Sequence, residues 1–464
     1  MIADLKPYAE YKESGLPWLG QVPGHWETRP AFGAFVVNHE RNHGMKEKTV
    51  LSLSYGRIVI KPVEKLHGLV PESFETYQIV NPGDIVLRTT DLQNDHTSLR
   101  VGIVRDRGII TSAYLALRVN AGVSPGFGFQ FLNVWDMSKA IYGYGSGLRQ
   151  NLDFSHFKRM PVALPPPAEQ VAIVRFLDWA NGRLERAIRA KRKVIALLNE
   201  QKQAIIHRAV TRGLDPSVRF KPSGIPWLAD IPEHWEVQRA KYLYREVDER
   251  STDGSEELLS VSHLTGVTPR SQKNITMFKA ASYTGHKLCR PGDLVVNTMW
   301  AWMGALGVSK HAGIISPAYA VYRPRRPAGI IGIYMDGLLR SRPYMSNIMC
   351  RSTGLRASRL RLYPEEFFRL PIIQPPTNEQ RRIVETIREE TIELDTATAR
   401  LEREIDLLRE YRTRLVADVV TGKLDVREAA TGLPDEAAPD TSAELAGDML
   451  DDASNLDEVE AEEI

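Results

Sequence analysis

GLPWLGQVPGHWE (Gly15–Glu27) returns about 209 residues later as GIPWLADIPEHWE (Gly224–Glu236), with eight of thirteen positions identical, both tryptophans among them. An internal period of this kind marks a repeated structural unit. The duplication continues along the chain. NPGDIVLRT (Asn81–Thr89) is answered by RPGDLVVNT (Arg290–Thr298), and GIITSAY (Gly108–Tyr114) by GIISPAY (Gly313–Tyr319). SGLRQ (Ser146–Gln150) is answered by TGLRA (Thr353–Ala357), and LPPPAEQVAIVRFL (Leu164–Leu177) by QPPTNEQRRIVETI (Gln374–Ile387). The order never changes, so the chain reads as a tandem of two homologous halves.

Each half opens with a portion punctuated by glycine and proline, in which short β-type runs alternate with turn signals. Pro-Gly-Asp before a strand predicts a type II turn. A proline run follows, Pro165–Pro167 or Pro375–Pro376, and then a long helical pattern. Proline suits the first turn of a helix, and Thr377 with Gln380 has capping-box spacing. Ile387, Leu394, Leu401, Leu408 and Leu415 recur every seven residues. Leu177, Leu184, Lys191, Leu198 and Ile205 do the same in the first half, with Ile173, Ala180, Ala187 and Val194 as a companion column. Sustained heptads predict a coiled-coil seam. The two helices are expected to pack antiparallel on each other, the competing arrangement being that each docks on its own domain. The expected fold class is α+β, with two tandem homologous mixed α/β domains separated by two long antiparallel coiled-coil helices. The expected boundaries are 1–163, 164–215, 216–373 and 374–425, followed by an acidic disordered tail at 426–464.

The totals agree with two domains or more: 464 residues, 43% hydrophobic and 25% charged. The sequence contains no eighteen-residue apolar run, and MIADLKPYAEYKESG lacks the basic start and apolar core of a signal peptide. Two cysteines, Cys289 and Cys350, support neither a disulfide framework nor a thiolate zinc site. A cytoplasmic protein is expected. The net charge of +2 hides an asymmetry. The stretch Pro434–Ile464 holds twelve of the 58 Asp and Glu and no Lys or Arg, leaving 60 basic against 46 acidic residues elsewhere. A body that basic is consistent with a polyanionic partner.

Catalytic signatures do not emerge. The chain has no phosphate-loop motif. PGFGFQF (Pro125–Phe131) lacks dinucleotide spacing and is expected to begin an apolar helix. Neither proline pair is followed by the aromatic with which amino-methyltransferases grip a flipped base. Glu200-Gln201-Lys202 has nuclease-like spacing but sits on the heptad helix. His25 and His234, with Trp18, Trp26, Trp227 and Trp235, occupy matched places in the repeat and read as anchors of the fold. The chain therefore reads as a binding protein.

As a set these repeated motifs are specific. G-[LI]-P-W-L-x-x-[VI]-P-x-H-W, P-G-D-[IL]-V, a Gly-Leu-Arg loop and P-P-x-x-E-Q-x-x-I-V, each occurring twice between about residues 8 and 425, resemble the specificity (S) subunit of type I restriction-modification systems. RTTDLQNDHTSLRVGIV (Arg88–Val104) also resembles a recognition segment of that family. The resemblance implies that each globular half is a target recognition domain reading one half of a bipartite, asymmetric DNA site. The helices would set the spacing of the half-sites and carry two methyltransferase (M) subunits. Restriction/translocase (R) subunits would complete the complex. It further implies that this chain is not an enzyme and binds no cofactor directly. S-adenosylmethionine belongs to the methyltransferase partner, ATP and Mg to the restriction partner.

Base edges are read by Arg, Asn and Gln, while Lys and Arg serve phosphates. The candidates lie where the halves diverge beside matched scaffold. After the first Pro-Gly-Asp strand these are Arg88, Thr89, Thr90, Asp91, Gln93 and Asn94, with Asn297, Thr298, Trp300 and Trp302 at the equivalent place. The Gly-Leu-Arg loops add Arg149 and Gln150 in the first half, and Arg351, Arg356 and Arg359 in the second. Tyr55–Arg57 and Ser262–Thr268 are weaker candidates, and for each residue a solvated surface turn is the competing reading. Arg175, Arg183, Arg186 and Arg189 are candidates for contact with the methyltransferase subunits or else form a solvated helix face. Two other jobs fit the same residues: an orphan subunit serving a methylation-only complex, and a DNA-binding regulator or coiled-coil scaffold without such a partner.

Overall fold

The computed structural model of the protein describes residues 5–61, 73–93, 99–144, 151–263, 265–272, 282–326, 329–354 and 360–434. In each half the Pro-Gly-Asp turn starts the central strand. Gly83 and Gly292 both sit at φ 92°, the left-handed position that a type II turn demands after proline. Asp84 N donates to Asn81 O (2.9 Å) and Asp293 N to Arg290 O (3.0 Å), closing both turns as expected. The strands that follow, Ile85–Leu87 and Leu294–Val296, are buried throughout, as short uninterrupted apolar runs should be. Each lies inside a four-stranded antiparallel sheet. The first sheet runs Phe35–Val37, Leu115–Val119, Ile85–Leu87, Val101–Ile103. The second runs Tyr244–Glu246, Ala320–Pro324, Leu294–Val296, Leu306–Val308, the same order from equivalent segments. The turn aspartate also holds the neighbouring strand: Arg118 Nε reaches Asp84 Oδ1 (3.1 Å), and Arg323 Nε and Nη2 clasp both oxygens of Asp293 (2.8 and 2.9 Å).

The apolar helix expected at PGFGFQF is present as Pro125–Met137, capped by Ser124. Its counterpart is split into Gly332–Leu339 and Arg342–Arg351. The first long helix spans Pro167–Arg212 and starts on proline as predicted; the second spans Thr377–Val420. The capping box expected of Thr377 and Gln380 is not formed. Gln380 is buried and bonds elsewhere instead: its Oε1 accepts from Ile331 N (2.9 Å) and its Nε2 donates to Pro375 O (2.9 Å).

Among the described residues the chain divides into two units, 5–190 with 403–434, and 191–402. In the first unit the core joins the start of the first long helix (Ile173, Phe176, Leu177, Ala180) to the end of the second (Leu415, Val416, Val419, Val420). In the second unit Ala209 and Val210 close the first helix, while Ile383 opens the second. Lys202 pairs with Asp395 and Arg208 with Glu390 in the second unit, and Glu185 with Arg412 in the first. In the second unit the numbers fall on one helix as they rise on the other, so the paired stretches there run antiparallel.

The companion heptad column needs correction. Val194 is 44% exposed, whereas Ile188, one position off that column, is 2% exposed. A straight helix drifts ~20° per heptad from a 3.5-residue repeat, so over the two heptads from Ile173 the column turns ~40° away from the buried face. Residues 426–434, expected in the acidic tail, are folded, and the rest of that stretch, 435–464, lies outside the described residues. Arg427–Thr431 is a helical turn, and Val426, Ala430 and Leu433 are buried in the first core. Among the described residues no helix is long and apolar enough to cross a membrane.

Candidate nucleic-acid interface

The repeated stretch Gly15–Glu27, with its copy Gly224–Glu236, supplies the frame. Trp26 and Trp235 are fully buried. Removing roughly 200 Å2 of indole from water at ~25 cal/mol per Å2 is worth ~5 kcal/mol for each. Burying the indole N–H requires an acceptor, and the long helix provides it. Trp26 Nε1 donates to Glu169 Oε1 (2.8 Å), and Trp235 Nε1 to Glu379 Oε1 (3.1 Å). His25 Nε2 lies 2.8 Å from Glu169 Oε2, and His234 Nε2 lies 2.7 Å from Glu379 Oε2. Tyr8 adds a third donor to Glu169 at 2.7 Å; burial, reinforced by Glu169, holds its hydroxyl far above the ordinary tyrosine range and keeps it a donor. The next residue of the motif braces the apolar helix. Gln170 Oε1 accepts from Ser124 N (2.7 Å), as Gln380 does from Ile331 N. The matched histidines and tryptophans thus serve the fold, and no group of three or more metal-ligating side chains occurs among the described residues.

On this frame the candidate segments meet at one end of each sheet. Thr89 O accepts from Leu152 N (2.8 Å), and Asp91 N donates to Asn151 Oδ1 (3.1 Å). The strand exit at 88–91 is therefore joined to the chain that emerges from the first Gly-Leu-Arg loop. In the second half Thr298 O accepts from Leu362 N (2.8 Å), and Thr353 and Arg361 exchange two backbone bonds across the base of their loop (3.0 and 2.9 Å). The hairpin tip at Tyr55–Gly56 arrives at the same end, since a Cβ on Gly56 would lie 3.0 Å from Leu99 Cβ. Tyr55 is exposed there at φ 46°.

The individual candidates differ in placement. Arg88, Thr90 and Asp91 are half-buried, Gln93 is exposed, and Leu92 between them is fully buried. Thr89 and Thr298 are 6% and 7% exposed, with hydroxyls 3.5 and 3.0 Å from the carbonyls of Ala113 and Ala318. Asn297 is buried and its Oδ1 accepts from Met299 N (3.2 Å). Trp300 and Trp302 are half-buried and stacked, with centroids 5.8 Å apart; Trp302 Nε1 donates to Met299 O (3.0 Å). Arg351 is held by Asn347 Oδ1 (2.7 Å) and Glu366 Oε2 (3.1 Å). Asn94, Arg149, Gln150, Arg356 and Arg359 lie outside the described residues.

Among the weaker candidates, Arg57 is half-buried. Burial lowers its pKa, Glu185 opposes the shift, and Arg412 and Arg105 add to it. Of the helix arginines, Arg175 is committed within the chain, donating to Leu433 O (2.8 Å), and Arg183 lies over the Trp179 ring.

Sequence reasoning missed Arg100. It is fully buried, and it fastens the strand exit from within. Setting the halves in register exposes a signal for it. Arg88 N bonds Arg100 O (2.8 Å) where Asn297 N bonds Ala305 O (2.9 Å), so a buried arginine stands opposite an alanine.

The solved structures similar to the chain include three of type I restriction-modification systems. One, described as "Structural basis underlying complex assembly and conformational transition of the type I R-M system", contains a chain matched over 86% of this protein and 98% of its own length, at TM-score 0.57 and 16% identity. The HsdS subunit from Thermoanaerobacter tengcongensis matches over 87% and 98%, at TM-score 0.39 and 17% identity. The type I restriction-modification system S subunit from M. genitalium matches over 85% and 96%, at TM-score 0.31 and 12% identity. No protein-family model and no curated protein matches the chain. The first of these likenesses carries the conclusion: the chain shares its fold with a chain of a type I restriction-modification system, the family that the repeated motifs resemble.

Proposed function

We propose that the chain is the sequence-reading specificity subunit of a type I restriction-modification complex. Two tandem recognition domains, 1–163 and 216–373, each read one half of a bipartite asymmetric DNA site. The stretches 164–215 and 374–425 form an antiparallel coiled-coil spacer that sets the distance between half-sites and docks two methyltransferase subunits. Restriction/translocase subunits join that assembly in the cytoplasm. The chain performs no chemistry itself: S-adenosylmethionine is held by the methyltransferase partner, and ATP with Mg by the restriction partner.

One observation carries this reading. Matched supports, Asp84 with Asp293 and Thr89 with Thr298, deliver different side chains to the same end of equivalent sheets. Reading an asymmetric two-part sequence asks for two like scaffolds with unlike loops. Arg88, Thr90, Asp91 and Gln93 are the readers in the first half, and Trp300, Trp302 and Arg351 in the second. Asn94 extends the first of these sets, and Arg149, Gln150, Arg356 and Arg359 complete both from the Gly-Leu-Arg loops. Thr89, Asn297 and Thr298 support it from beneath.

The test is a map of methylated adenines across the source genome with the gene intact and deleted. Loss of one split, asymmetric motif on deletion is the expected result. An unchanged methylome under conditions where the partner subunits are expressed would replace this reading with that of a DNA-binding regulator.

A further inference from the structure

Arg100 brings a guanidinium into a fully buried position, where an unsatisfied cation is strongly disfavoured. Backbone carbonyls take three of its hydrogen bonds. Nη1 donates to the carbonyls of Arg88 (3.2 Å) and Thr90 (2.9 Å), and Nη2 to that of Asp91 (3.2 Å). Nε donates to the Tyr142 hydroxyl (3.2 Å), and the residue's own amide is held by Asp136 Oδ2 (2.6 Å). Three carbonyls within four residues are turned onto one planar group, which fixes the path of the chain between them. Asp91 is kept at φ 59°, a left-handed conformation that costs a non-glycine residue roughly 1 kcal/mol and persists only where neighbours impose it.

The sheet itself does not need this arginine. The equivalent position on the second sheet is Ala305, and the strands beside it pair in the same register. The guanidinium therefore serves the segment that differs between the halves, and that segment presents Arg88, Thr90 and Asp91.

We propose that Arg100 is a positioning residue for sequence discrimination by the first recognition domain. It touches no base; it sets the backbone from which the readers project, and so decides which half-site sequence they accept. The inference rests on the reading of the chain as a DNA specificity subunit.

The test uses the full chain in its native complex. Arg100→Met, Arg100→Lys and Tyr142→Phe are placed in the chromosomal gene, and methylated sites are mapped beside wild-type and gene-deleted strains. Arg100→Met keeps the volume and removes the donors. It is expected to make one half of the split motif degenerate, each displaced base contact relaxing discrimination ~10-fold or more, while the other half is still read. Arg100→Lys restores part of the discrimination, and Tyr142→Phe relaxes the same half more weakly.

Should Arg100→Met yield no folded protein, the other two variants decide the matter by the same criterion. An unchanged motif in the folded variants overturns the proposal. So does a uniform fall in methylation with both half-sites still strictly read, which is the mark of a merely structural role. If deleting the gene removes no motif, the specificity-subunit reading itself has failed. If deletion removes a motif that the variants leave intact, only the inference about Arg100 has.

Discussion

The chain leaves Leu87 and Val296 on the same support and is fastened in two unlike ways. Residues 88–91 are tied from inside by the guanidinium of Arg100, with Leu92 buried beside them. Residues 297–305 form a tighter turn in which Trp300 stacks on Trp302 and the left-handed Gly304 (φ 97°) closes the return. A buried arginine orders polar backbone but tolerates no loss of acceptors. An aromatic stack orders a short turn through dispersion and bends more readily to substitution. The difference shows that a repeated frame constrains where a loop starts and returns, while leaving open how its interior is held.

If the frame is common and only the loops differ, matched substitutions in the frame should have effects ranked by local geometry. The largest is expected at the carboxylate under the tryptophan. Glu169→Ala strips a buried acceptor from Tyr8, His25 and Trp26 and is expected to cost about 3–5 kcal/mol in the first unit. Glu379 is more exposed and, among the described residues, bonds His234 and Trp235, so Glu379→Ala should cost about 1–2 kcal/mol in the second. Hydrogen exchange of the backbone around Trp26 and Trp235 in the intact chain reads the two units separately. Equal losses would contradict the ranking.

Next come the glycines that end the long helices, Gly422 at φ 75° and Gly213 at φ 77°. Both substitutions to alanine incur the left-handed penalty of about 1 kcal/mol. At Gly422 the new methyl would also press on the Pro23 ring, 2.6 Å from Cγ, and on Trp26 at 3.0 Å; at Gly213 its nearest neighbours stand off at 3.3 Å. Gly422→Ala is therefore expected to cost about 2–4 kcal/mol against about 1 for Gly213→Ala. Denaturant midpoints that coincide for the two variants would show the seats to be alike.

The smallest effect is expected at the helix ion pairs. Glu185 is the less exposed partner, so Arg412→Ala should cost about 1 kcal/mol, whereas Lys202→Ala, facing a more exposed Asp395, should change stability by roughly 0–0.5 kcal/mol. Thermal midpoints at low and high salt check both, and a larger, salt-sensitive loss at Lys202 would overturn this order.

Local chemistry was legible from the residues. The type II turns at Gly83 and Gly292, the helix opened by Ser124 and Pro125, and the proline start of the first long helix follow from fixed φ, permitted positive φ and missing N–H groups. The convergence of 88–91 with 151–152 was not legible, nor was the partner of Trp26 on a helix 143 residues away. Both depend on contacts that no local pattern encodes. The drift from Val194 to Ile188 escaped for a related reason: the heptad is a sequence period, and the helix turns at its own.

Arg100 marks the boundary most clearly. In a chain with 60 Lys and Arg, one more arginine beside a strand carries no flag of its own. The sequence by itself determined that there are two like halves, where their turns fall and which helices follow, because repetition, glycine, proline and periodic apolar residues act over a few neighbours. Only the tertiary structure decided which polar side chains are spent inside the fold. Burial and hydrogen-bond satisfaction depend on what the rest of the chain brings to the same place.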